Sequence, residues 1–118
     1  MSLIGELADQ EGVIAAGEYS YRGDRFSYKG QLNEDLARMA SIMCRANTMG
    51  VHMQTDIMAS FREDSGVAPA RGWAVRGPQM TVCVIANVFC FLRNEPGVLN
   101  RVMKLMRERL ADATEDLI

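Results

Sequence analysis

Met80-Thr81-Val82-Cys83-Val84-Ile85, then Ala86-Asn87, then Val88-Phe89-Cys90-Phe91-Leu92: this stretch decides the fold. Both runs are apolar at almost every position. A strand with one wet face alternates apolar and polar residues, and these do not, so cover is needed on both faces. Ala86-Asn87 has the length of a tight hairpin loop, with Asn tolerating a positive φ. That register sets Cys83 opposite Cys90 as a hydrogen-bonded pair, with Cα atoms about 5.5 Å apart.

Downstream, Asn94 is the expected cap of a closing helix whose first turn accepts Pro96. Leu99, Val102, Met103, Met106, Leu110, Ala113 and Leu117 would form its apolar stripe. Upstream, Ala70 to Arg76 reads as a strand carrying Trp73 and Val75, followed by a Gly77-Pro78-Gln79 turn. At the start of the chain, Leu3, Ile4, Leu7 and Ala8 recur at helical spacing. Gly12 to Tyr21 and Phe26 to Gly30 then read as two strands around an Arg22-Gly23-Asp24 turn. Phe26 and Tyr28 alternate with Ser27 and Lys29, the pattern of an edge strand.

Between the two groups of strands runs a long helix. Asn33 can cap it, Glu34 and Asp35 sit where the dipole favours acid, and helical spacing continues to Arg62. At about 1.5 Å per residue that is roughly 40 Å. Leu36, Met39, Ala40, Met43, Gly50, Val51, Ile57, Met58 and Phe61 fall on one stripe, which is expected to face the sheet. Arg38, Ser41, Arg45, Thr48 and His52 are expected on the polar side.

These elements predict an α+β fold over residues 1–118 as one domain. A five-stranded antiparallel sheet carries the long helix on one face and the terminal helices on the other. A chain of 118 residues, 48% apolar and 24% charged, has material for one core and is far from a disordered composition. A net charge of −2 gives no electrostatic reason to expect nucleic acid or an anionic membrane as partner. No apolar run reaches the length of a membrane span, and the first residues lack the features of a signal peptide. A cytoplasmic location is the expectation.

No catalytic constellation emerges. His52 is the one histidine, and Cys44 lies eight residues before it, about 12 Å along the helix axis, too far for a dyad within it. Ten glycines are present, yet neither phosphate-cradling glycine pattern occurs. Three cysteines (Cys44, Cys83, Cys90) lie in apolar segments without ligand spacing and read as buried free thiols. Five of the nine methionines lie on the long helix. Thioethers suit a soft metal, but helical spacing accounts for them as packing residues. No enzyme activity, cofactor or metal is therefore expected. A second reading stays open, a sensor in which a pocket near the sheet binds a small ligand or Cys83 and Cys90 couple reversibly.

The long helix offers more apolar surface than one sheet contact requires. Ile42, Ala46, Met49 and Met53 lie beside the main stripe, and exposed together they would make a patch that soluble monomers avoid. Burial against an identical partner is the simplest explanation; the alternative is that the terminal helices wrap over them. The expected dimer or partner surface is Ile42, Ala46, Met49 and Met53, with Trp73 and Val75 of the third strand.

The strings Leu3-Ile4-Gly5-Glu6-Leu7, Gly12-Val13-Ile14-Ala15-Ala16-Gly17-Glu18, Tyr28-Lys29-Gly30, Met43-Cys44-Arg45-Ala46-Asn47, Gly72-Trp73-Ala74-Val75 and Val82-Cys83-Val84-Ile85-Ala86-Asn87-Val88 occur in this element order. Together they resemble the roadblock or dynein-light-chain type domain, of profilin-like fold, in a branch of small prokaryotic proteins. The resemblance covers nearly the whole chain. It implies a sheet of order 2-1-5-4-3 and a homodimer in which long helices pack together and third strands pair. It also implies a non-enzymatic platform for a small Ras-like GTPase or another cytosolic protein. No residue-level GTPase motif carries over.

Overall fold

The computed structural model describes residues 2–111. Ser2 caps the first helix, α1 (Leu3–Ala8), its hydroxyl accepting from the Gly5 amide at 3.1 Å. That bond satisfies one of the amides a helix start leaves unpaired. The chain continues into β1 (Val13–Tyr19) and returns as β2 (Phe26–Gly30). Ser20 builds the turn between them, accepting from the Asp24 and Arg25 amides and donating to the Asp24 carboxylate at 2.7 Å. This bond from Ser20 holds the Asp24 carboxyl below the usual carboxylate range. Arg22-Gly23-Asp24 is hairpin-turn material.

There follow α2 (Glu34–Phe61), β3 (Gly72–Arg76), β4 (Met80–Ile85), β5 (Val88–Arg93) and α3 (Val98–Arg109). The strands form one antiparallel sheet of order β2-β1-β5-β4-β3. The central position of β5 and β4 explains why neither alternates. Ala16, Cys83, Ile85, Val88, Cys90 and Leu92 point to the face covered by α1 and α3, where Ile4, Leu7, Val102 and Met106 meet them. Tyr19, Val84 and Phe89 point to the other face, against Ala40 and Cys44 of α2. Gly17 lies opposite Phe89 on this face. A Cβ there would stand 2.3 Å from Phe89 Cζ, so the ring lies across β1 only because that position has no side chain. The strand order and the placement of the helices agree with the expectation.

Three local expectations are corrected. Asn94 does not cap α3, which begins at Val98 after Gly97 with φ +80°. Asn94 instead donates to the Gly77 carbonyl at 2.7 Å and accepts from the Thr81 hydroxyl at 2.6 Å, tying the β3–β4 turn to the end of β5. The hairpin Ala86-Asn87 forms in the expected register, but the positive φ (54°) belongs to Ala86 rather than Asn87. Asn87 is held in place by donating its side-chain amide to the Tyr19 carbonyl at 2.8 Å. The strand read as Gly12 to Tyr21 spans Val13–Tyr19, and that read from Ala70 begins at Gly72. Ala113 and Leu117 lie outside the described residues.

Candidate functional site: the long helix and the cavity beneath it

α2 meets the sheet through its small residues. Ala37, Ala40, Ser41, Cys44 and Thr48 are the buried ones, at three- and four-residue spacing. This reverses the expected orientation of the helix. Ser41 and Thr48, assigned to the polar side, are 5% and 4% exposed. Each hydroxyl is satisfied inside the helix, Ser41 donating to the Ala37 carbonyl at 2.8 Å and Thr48 to that of Cys44 at 2.7 Å. A hydropathy count scores them as wet because it cannot see those bonds.

Conversely, most of the stripe expected on the sheet faces outward. Leu36, Met39, Met43, Ile57, Met58 and Phe61 are half exposed or more, Phe61 reaching 86%. On the same side lie Ile42 and Met53 (66% exposed), with Ala46 exposed and Met49 half-buried. From Leu36 to Phe61 this arc carries Asn47, Gln54 and Ser60 but no charge. α1 and α3 pack on the opposite face of the sheet, so they do not wrap over it. Beside α2 on its own sheet face, Val75 and Met80 are exposed, next to the half-buried Val82 and Phe91. Five of the six expected surface residues thus lie on or beside one apolar face. Trp73 is different, because it turns inward.

Trp73 belongs to a buried polar junction. Its indole N–H donates to Thr48 Oγ1 at 2.7 Å, and the Tyr19 hydroxyl lies 3.3 Å from the same oxygen and 3.4 Å from the Ala86 carbonyl. Thr48 therefore accepts from β3 and β1 while donating within α2, which uses its full hydrogen-bonding capacity. Burial raises the Tyr19 phenol above its ordinary pKa.

Beyond Thr48 no residue of α2 is buried, so the second half of the helix overhangs the sheet. Under the overhang is a cavity of about 310 Å³. Val51, Trp73, Val84, Ile85, Met103 and Leu110 supply apolar wall, and His52, Arg71 and Arg107 bring positive or protonatable groups. His52, expected on a wet face, is half-buried here. The cavity was not legible in the sequence, since it arises from the mismatch between helix length and strand length.

The thiols show no reactive environment. Cys44, Cys83 and Cys90 are buried and free. Burial pushes the Cys44 thiol up to about 12. Cys90 is also raised, by its hydrogen bond with Cys83 and by burial. Among the described residues no group of three His, Cys, Asp or Glu side chains is placed to hold a metal. Among them, too, no helix is long and apolar enough to cross a membrane.

A family profile described as "Uncharacterized conserved protein (DUF2173)" matches residues 3–108. The chain belongs to the DUF2173 family. Its fold is similar to that in the crystal structure of a Roadblock/LC7 domain from Streptomyces avermitilis, at TM-score 0.62 and 17% identity. That likeness covers 93% of this chain and 92% of the other. A roadblock-type fold is thereby shown for this DUF2173 member, as the sequence strings suggested. No curated protein matches it.

Proposed function

We propose that this DUF2173 protein is a non-catalytic homodimeric interaction module that scaffolds or regulates a partner protein. The outward face of α2 carries this reading. Eight of its large apolar side chains, from Leu36 to Phe61, are half exposed or more. An aromatic side chain brings about 150–250 Å² and Met, Leu or Ile somewhat less, so the face presents on the order of 700–900 Å². A standard interface takes about 800 Å² from each partner. An uncharged apolar face of that size suits a second copy, because a two-fold axis brings the same face to itself. Val75 and Met80 extend it onto uncovered sheet, where a partner helix would rest. The partner class implied by the roadblock resemblance is a small Ras-like GTPase or another cytosolic protein. The burial of both thiols lends no support to a redox role for Cys83 and Cys90.

The test is the double variant Met39→Asp, Met53→Asp. Both side chains point away from the chain's own core, so the circular dichroism spectrum should be preserved. Light scattering should give a dimer for the native chain and half that mass for the variant. A native chain that is monomeric at micromolar concentration, or a variant that stays dimeric, refutes this placement of the interface. A GTPase partner would co-purify with the native chain and be released or retained according to whether it needs the dimer.

A further inference from the structure

Among the described residues the sulfur atoms that water can reach are thioethers, and most of them lie on α2. Met39, Met43, Met53 and Met58 are half exposed or more, whereas Met106 of α3 is fully buried. At about 100° per residue, Met39, Met43 and Met53 fall within an arc roughly 80° wide. Ala46 and Gly50 lie between them, with Asn47 and Gln54 at one margin and no charged residue inside the arc. Thiols ordinarily meet an oxidant first, but only where they are exposed and ionised. Cys44, Cys83 and Cys90 are all buried, so an oxidant in water does not reach them. The order of attack is thereby reversed in favour of the methionines. Oxidation turns a flexible apolar side chain into a polar one. In a dry interface each sulfoxide oxygen would be a buried acceptor without a partner. Ala46 and Gly50 offer it no side-chain donor, and a second copy of the same face brings none either.

We propose that Met39, Met43 and Met53 are a modification site for hydrogen peroxide, and that their oxidation to sulfoxides separates the paired chains. The site stands on exposure and position; the separation rests on the homodimer reading. In the reaction a sulfur lone pair attacks one peroxide oxygen, the S–O bond forms and the O–O bond breaks. The proton on the transferred oxygen passes to the departing one, which leaves as water. The sulfur loses an electron pair and the peroxide gains it. A thiol-dependent sulfoxide reductase reverses the change, removing the oxygen as water while its thiols become a disulfide. Pairing hides these sulfurs, so the separated chain is the one that reacts, and its withdrawal draws the remaining dimer apart by mass action.

The full chain is treated with hydrogen peroxide at neutral pH, its peptides are mapped by mass spectrometry, and its mass is followed by light scattering. Oxygen should enter Met39, Met43 and Met53 well before Met106, while all three thiols stay reduced. In step with this the dimer should fall to half its mass with an unchanged circular dichroism spectrum, and the reductase should restore it. Each unpaired sulfoxide should weaken association about tenfold, and the two-fold axis repeats it in the second copy. The reaction should slow as chain concentration rises. The variant Met39→Leu, Met43→Leu, Met53→Leu keeps the face apolar and should remain dimeric under the same peroxide. Oxygen entering the cysteines or Met106 first overturns the site. An oxidised chain that keeps the native mass, or a leucine variant that separates as readily as the native chain, overturns the switch. An untreated chain that is already monomeric refutes the homodimer reading and the switch with it, and the peptide map then decides the modification site on its own.

Discussion

Replacing Thr48 by valine tests whether α2 is held to the sheet by a polar junction or by burial alone. The two side chains have nearly the same shape, so packing against the sheet is preserved. What is lost is the oxygen that accepts from Trp73 at 2.7 Å and lies 3.3 Å from the Tyr19 hydroxyl. Tyr19 has a second acceptor in the Ala86 carbonyl at 3.4 Å and can turn to it. The Trp73 N–H has no alternative among the bonds formed here. An unpaired donor costs about 1–3 kcal/mol, less where water can reach it. Trp73 is half-buried beside a cavity, so a net loss of about 1–2 kcal/mol is expected. Thr48→Ser keeps the oxygen and removes a methyl group, costing about 0.8 kcal/mol or less. Serine should therefore be the milder change, although valine is the more hydrophobic one. Urea unfolding followed by Trp73 emission, at fixed chain concentration because association would shift the midpoint, gives both values. A Thr48→Val chain as stable as the native one, or more stable than Thr48→Ser, would remove the junction from any account of how α2 is anchored.

Two further outcomes follow from the same geometry. The Cys44 thiol is raised by burial to about 12 from an ordinary value near 9, and Cys90 is raised as well. The folded chain thus holds protons that the unfolded chain releases. Stability from these groups is fully present below about pH 8.5 and falls as pH rises toward 12, at up to about 1.4 kcal/mol per pH unit for each thiol. Urea midpoints should be flat from pH 7 to 8 and decline by pH 10. Thiol reagents should label these cysteines only on unfolding, and rapid labelling of the native chain at neutral pH would contradict their burial. Ala86→Gly relieves a left-handed alanine worth about 1–2 kcal/mol and gives back about 0.4–1 in chain entropy. A gain of about 0.5–1 kcal/mol is expected; a lowered urea midpoint would show that the turn is not strained.

Much of the fold was legible because its signals are local. Nearly continuous apolar runs at Met80–Ile85 and Val88–Leu92 demanded cover on two sides, and the alternation of Phe26 and Tyr28 marked an edge. What failed was the phase of α2. Periodicity finds an apolar stripe but does not say which side of a helix meets the core when both sides are apolar. The deciding signal was the small-residue series Ala37, Ala40, Ser41, Cys44 and Thr48, recognisable once Ser and Thr are allowed to satisfy themselves on the preceding turn. Asn94 was misread as a cap, and the bond of Trp73 to the long helix was missed, for a related reason. Each side chain serves a contact distant in sequence, with Gly77 and with Thr48, that no local pattern encodes.

The outward phase of α2 is fixed by more than packing. Asn33 accepts from the Leu36 amide at 2.8 Å and sets where the helix starts. Twelve residues further, Arg45 donates to the Tyr21 carbonyl at 2.9 Å, and Thr48 then joins β1 and β3. Rotating the helix to bring Met39 and Met43 onto the sheet would break the last two contacts and leave the buried serine and threonine facing water. It would also press long side chains into a gap that Phe89 and Tyr19 leave wide enough only for Ala40 and Cys44. The polar anchors and the small residues therefore enforce the same rotation, and exposure of the methionines follows from it. A chain that spends its small residues on its own sheet and turns its large apolar ones outward leaves an uncovered apolar face, the observation on which the proposed dimer rests. The overhang beyond Thr48 follows from the same choice, because a helix held only by its first half leaves its second half to roof the cavity.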